Sequence, residues 1–188
     1  MAVFEAVIAG LVDSGYGGLT IDGVAARAHI SKTSMYRYWP SKEELVLDTI
    51  RGYLPPIQDV PYSGSIREDF LQMLRNTSAL AASPTGIAIA GLLTEAHRHP
   101  ALARAVFEQI IEPRQRIMLE SLHRAAIRGE ISPGAVTLLP IQVAVGVVNI
   151  HQLQFGAPPS DDELIQIVDQ AVLPILGLTP DQKRPDIA

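Results

Sequence analysis

Between Arg27 and Lys42 the sequence gathers side chains suited to one kind of chemistry, the recognition of a polyanion. Four cations (Arg27, Lys32, Arg37 and Lys42) fall in this stretch with no acidic residue, a local charge of +4 in a chain of net charge −5. The rest carries 11 basic against 20 acidic residues, a charge of −9. Attraction to phosphates follows the local patch, not the chain total. On charge alone, a chance cluster on a solvated face is an equal reading. The other residues there decide more. Small hydroxyls such as Thr33 and Ser34 can approach base edges from the head of a helix, while Lys, Tyr and Arg reach phosphates or guanine.

Other chemistry is weakly supported. The rings of His97 and His99 diverge at a separation of two on a helix and sit at a break before Pro100, so a solvated helix end is favoured over a metal site. His123 and His151 are isolated; His151, in an apolar stretch, reads as a core or interface histidine, with a pocket-lining role as the alternative. Asp161-Asp162-Glu163 is simplest as the acidic first turn of a helix. With no cysteine, disulfides, thiolate chemistry and Cys-based zinc sites are excluded. No Gly-rich phosphate loop, nucleophile elbow or paired carboxylates stand out, so no enzyme, cofactor or metal is expected.

The elements that must position the basic stretch read as helices throughout, punctuated by Gly and Pro, without β-type alternation. A first helix, about Val3 to Ser14, carries the face Phe4, Val7, Ile8, Leu11 and Val12 and is ended by Gly15 to Gly18. Thr20 caps a second, about Ile21 to Ala28, with Ile21, Val24, Ala25 and Ala28 inward. His29-Ile30 makes a tight turn, and Ser31 caps a third helix, about Lys32 to Tyr38. Two short helices joined this way are a helix-turn-helix by geometry. Met35 and Trp39, four apart, share the face that packs on the first two helices, leaving Lys32, Thr33, Ser34, Tyr36 and Arg37 on the exposed side. Ser41-Lys42-Glu43-Glu44 has the form of a capping box and starts a fourth helix to Tyr53, where Lys42 and the amides of that helix start offer another phosphate contact. Pro55, Pro56 and Pro61 mark a linker, giving domains 1–53 and 54–188. Five more helices follow, at about 65–82, 85–98, 101–128 (with Pro113 kinking or dividing it), 133–154 and 161–176, and a frayed tail after Gly177.

The stretch from Gly15 to Leu45, with "G-x-x-x-L-T", "V-A-x-x-A" and "S-K-x-x-x-Y-x-x-W-P-S-K-E-x-L" in order, resembles the DNA-binding region of the TetR family of transcriptional regulators. The strict resemblance covers about the first quarter of the chain. It implies an all-α fold of nine helices, with an N-terminal three-helix DNA-binding domain and a C-terminal helical ligand-binding and dimerisation domain. It implies that Lys32, Thr33 and Ser34 face bases and that Thr20, Tyr36, Arg37, Tyr38 and Lys42 touch the phosphate backbone. A homodimer through the last two helices and a ligand cavity among the central ones are implied as well. Two positions depart from the family pattern. Residue 29, usually Gly, is His29, and no Lys or Arg precedes Arg27, where members usually carry a basic arm.

The remaining expectations come from the C-terminal helices. Ile141 to Ile150 is apolar nearly all round and must be buried on several sides, either in an internal core or against a second copy. Gly146 and Ala144 allow close approach, and a palindromic operator requires two recognition helices, which favours a dimer. Phe70, Met73, Thr77, Ile87, Leu92, Phe107, Ile110 and Arg114 suit an apolar cavity with a few polar groups, or an ordinary core. The expected protein is a cytoplasmic repressor with no membrane span, released from palindromic operator DNA by a small, mainly apolar effector. The alternative is a helical dimeric interaction module with lost or weak DNA binding.

Overall fold

The computed structural model describes residues 2–54, 63–95 and 97–179, and these form nine helices with no strand among them. α1 spans Ala2–Gly18, α2 Ile21–Arg27, α3 Lys32–Tyr38, α4 Lys42–Tyr53, α5 Ile66–Ala81 and α6 Pro84–Thr94. α7 runs as Pro100–Val106, a π turn Phe107–Ile111 and Glu112–Ile127. α8 is Leu139–Phe155; α9 joins Asp161–Ile167, a π turn Val168–Val172 and Leu173–Ile175. The linker prolines Pro55, Pro56 and Pro61 and the tail beyond Thr179 lie outside the described residues.

Proline accounts for most departures from the expected helices. Each π turn ends two residues before a proline, Pro113 or Pro174. Proline lacks an N–H and its ring crowds the carbonyl four residues back, so a wider turn just before it relieves both faults without breaking the helix. Pro113 therefore neither divides nor ends α7. α8 begins at Leu139 rather than 133 because Pro140 is tolerated only in a first turn, and Pro133–Ala135 forms a separate 3-10 turn. α6 stops at Thr94 rather than 98, and His99, which precedes Pro100, is non-helical (φ −131°, ψ 62°). α1 does not end at Ser14: Gly15 takes φ 66°, ψ −179°, and the chain bends there and continues to Gly18.

Compactness groups Met1–Pro56 with Leu80–Pro113, and Ile57–Ala79 with Arg114–Ala188. A boundary after Tyr53 follows the chain; this grouping follows packing. In the first unit α1 lies along α6, and α4 touches α6 and the start of α7. Its core contains Val7, Leu11, Val24, Met35, Leu45, Ile50, Leu92, Val106 and Ile110, with Phe4 and Trp39 packed on its edge. Val12, expected inward, is 45% exposed. In the second unit Phe70, Leu74, Met118, Leu122, Ile141, Val148, Val168 and Val172 are buried, and α8 packs on α9. Two forked ion pairs tie α5 to α9, Arg67 to Asp169 (2.7 and 2.9 Å) and Arg75 to Asp161 (2.6 and 2.9 Å).

By length and mean hydropathy Pro133–Phe155 is apolar enough to cross a bilayer, although the sequence reading counts no span there. In this fold Pro140, Ile141, Ala144 and Val148 are buried, while Leu139, Val147, Ile150 and Leu153 lie along an exposed stripe.

Candidate nucleic-acid interface

Local hydrogen bonds fix the two short helices and the turn between them. The Thr20 hydroxyl accepts from the Gly23 amide (3.0 Å) at the start of α2. At its end the His29 amide donates to the Ala26 carbonyl (3.3 Å) and the Ile30 amide to the Ala25 carbonyl (2.9 Å). This is the Schellman pairing, which needs a left-handed residue one place beyond the cap. His29 occupies that place with φ 56°, so the turn keeps the left-handed conformation that glycine most readily adopts. The Ser31 hydroxyl then accepts from the Ser34 amide (3.2 Å) and donates to the Ser34 hydroxyl (2.9 Å). Loss of such a cap costs about 1 kcal/mol.

α3 is held from behind and open in front. Met35 is fully buried, and Trp39 is fixed by its indole N–H on Asp48 (3.0 Å) and by the Phe4 ring at 6.0 Å. Lys32, Thr33, Tyr36, Arg37 and Tyr38 are exposed, Ser34 and Lys42 are half-buried, and Thr20 is exposed beside them. Tyr36 is 52% and Tyr38 65% exposed, an amount of aromatic surface that water alone does not favour. All eight expected DNA-contacting residues thus fall within the α2–α4 region.

Each cation of the patch has a partner inside the protein. Lys32 pairs with Asp22 (2.5 Å) and Arg27 with Asp13 (3.1 Å). The Arg37 guanidinium lies 5.1 Å from the centre of the Tyr38 ring. The Lys42 ammonium donates to the Tyr16 carbonyl (2.9 Å) and sits 4.0 Å above the Tyr16 ring. The hydrogen bond to Asp22, then the attraction of its charge, raises Lys32 above the ordinary lysine range. Lys42 is therefore tied back to the end of α1, not pointed freely at solvent.

Tyr16 joins this edge to α6 and α7. Its ring is buried and meets the His99 ring edge-on at 4.7 Å, and His99 approaches Glu95 at 3.8 Å. Burial, and then the Glu43 carboxylate beside it, push the Tyr16 phenol well above its ordinary range. His99 is thus a packing residue as well as a helix end, whereas His97 and Arg98 are exposed. Asp13, Asp22 and Tyr16 carry no sequence signal, because their partners are 10 or more residues away across turns.

The eight expected ligand contacts divide between the units. Phe70, Met73, Thr77 and Arg114 belong to the second; Ile87, Leu92, Phe107 and Ile110 belong to the first. Leu92 and Ile110 are core residues there, and Ile87 and Phe107 are each 43% exposed. Burial lowers Arg114 below the ordinary arginine value. His151, in the second unit, is half-buried, with Nδ1 2.9 Å from the Ala157 carbonyl oxygen and Nε2 3.5 Å from Glu163.

Comparison with known proteins bears on both parts of the chain. Residues 8–49 match the family model of bacterial regulatory proteins of the tetR family, and residues 60–171 match that of the tetracyclin repressor-like C-terminal domain. An uncharacterized HTH-type transcriptional regulator of Mycobacterium tuberculosis, Rv1556, is 32% identical over 88% of this chain and 82% of its own. The DNA-binding transcriptional repressor TetR of Mycobacteroides abscessus is 29% identical over 88% and 87%. The crystal structure of the TetR family transcription regulator SCO0332 superposes with a TM-score of 0.68 at 28% identity, covering 91% of this chain and 94% of that one.

Proposed function

Since this chain belongs to the TetR family of DNA-binding transcriptional regulators, and is not an enzyme, we propose that it is a ligand-released repressor that grips a palindromic operator as a homodimer. The observation that carries the dimer is the stripe along α8. Leu139 (54% exposed), Val147 (41%), Ile150 (52%) and Leu153 (70%) recur at helical spacing, with Gly146 beside them and no side chain to hold a partner off. Burying the exposed half of such a side chain stabilises an interface by roughly 1 kcal/mol. Ile175, at the end of α9 in the same unit, is exposed as well.

In this reading Lys32, Thr33 and Ser34 read bases while Thr20, Tyr36, Arg37, Tyr38 and Lys42 hold phosphates. The exposure of α3 and the caps that fix it support those roles. The effector is small and mainly apolar. Within the second unit Phe70, Met73 and Thr77 recur along one face of α5, and Arg114 adds a guanidinium partly withdrawn from water. An effector that prefers one dimer state by a few kcal/mol suffices to release DNA. A protein of this kind works in the cytoplasm.

Sedimentation and footprinting of wild type and Leu153→Asp test the reading. Wild type is expected to sediment as a dimer and to protect a two-fold symmetric site. Leu153→Asp is expected to sediment as a monomer and to lose that protection. A wild-type monomer that still footprints one half-site overturns the dimer assignment.

A further inference from the structure

Asp22 stands opposite the residue that should read bases. It lies in the first turn of α2, Lys32 opens α3, and the two meet across the turn at 2.5 Å, with side chains 50% and 64% exposed. An acid so near a polyanion is costly unless it does something there. Asp13 pairs with Arg27 in the same region, so two carboxylates bring the local +4 of the basic stretch to +2.

We propose that Asp22 sets the strength of the DNA interface, holding the Lys32 ammonium until a base edge replaces it. Leaving a carboxylate is favourable only where the new acceptors are good. Guanine offers two, O6 and N7, at the floor of the major groove. At an arbitrary sequence Lys32 stays on Asp22, contributes little to phosphate attraction and leaves the duplex weakly held. Asp22 thereby lowers affinity for all DNA, and lowers it most at the operator, where the ion pair must break before Lys32 can reach a base. The inference rests on the DNA-binding function and goes beyond it, because it assigns a role to a residue that is not itself expected to contact DNA.

The test uses the full chain, a random-sequence duplex, and a duplex selected by wild type from a random pool. Asp22→Asn keeps the shape and removes the charge. Exposed ion pairs are worth about 0.2–1 kcal/mol, so affinity for the random duplex is expected to rise up to about fivefold. Its salt slope should steepen by about 0.9 for each freed Lys32. Affinity for the selected duplex should rise by at least as much, because there wild type gives up the whole ion pair. In a Lys32→Met background the same change should give no gain in slope.

No gain on the selected duplex overturns the proposal, as does an unchanged slope on the random one, or an undiminished gain in Lys32→Met. Those outcomes leave the regulator intact, since wild type still selects a site. If wild type selects no duplex at all, the DNA-binding function itself is refuted, and the role of Asp22 with it.

Discussion

Gly15→Ala probes the bend that sets Tyr16, and through it Lys42. Gly15 has φ 66° and ψ −179°, a region open to glycine and closed to side-chain-bearing residues at a cost of about 1–3 kcal/mol. A Cβ there would lie 2.7 Å from the Glu95 Oε1, a contact that the carboxylate can escape by swinging aside. Alanine also restricts the unfolded chain, which returns about 0.4–1 kcal/mol where the native conformation suits it and nothing where it does not. The expected loss is therefore about 2 kcal/mol, or about 4–8 °C in Tm for a chain of this size. Denaturant unfolding at fixed protein concentration measures it for Gly15→Ala, Glu95→Ala and the double variant. Most of the loss should persist without Glu95, because its main source is backbone. A loss below about 0.5 kcal/mol would refute the bend. A loss that disappears in the double variant would make the effect steric and leave the backbone argument without support.

Three further outcomes follow from the same geometry. Gly86→Ala should be far more damaging, because its Cβ would meet the Leu80 carbonyl oxygen and neighbouring backbone, which no side-chain rotation relieves; expression and thermal unfolding would register it as a loss of about 3 kcal/mol or more, the upper range for core overpacking. His29→Gly should hold or raise stability by about 0.5–1 kcal/mol, since a left-handed residue with a Cβ costs about 1–2 kcal/mol and glycine's added chain entropy cancels part of that gain. On acidification, Glu163 is held below the ordinary carboxylate value of 4.5, first by the Ser160 hydroxyl and then by its amide. Its ionised form therefore stabilises the fold above pH 4.5, and that contribution is lost as pH falls through the lower folded value. An unfolding series from pH 6 to 3 should show a shallower acid limb in Glu163→Gln.

How much of this was legible in the sequence depends on the range of the interaction. The caps at Thr20, Ser31 and Ser41 involve neighbours three residues on, so their side-chain chemistry announces them. Met35 and Trp39 sit four apart, and their shared inward face follows from the helical period. The course of the helices around Pro113, Pro140 and Pro174 was harder, because proline permits several local solutions and packing selects among them. The site divides the same way. Which residues of α3 face outward is a local property and could be read. That Lys32 meets Asp22, Arg27 meets Asp13 and Lys42 folds onto Tyr16 depends on how α1, α2 and α4 cross. A +4 stretch in the sequence is in the fold a set of cations each already engaged.

The central claim is that this chain recognises duplex DNA through the exposed face of α3. A salt titration of wild type, Lys32→Ala and Tyr36→Ala against a selected palindromic duplex and a random one tests it most directly. The account predicts tight binding of the palindrome by wild type, weakening linearly in log affinity with log salt, and a loss of affinity for it in both variants. Equal and negligible binding by all three proteins, or palindrome binding untouched by either substitution, would contradict it.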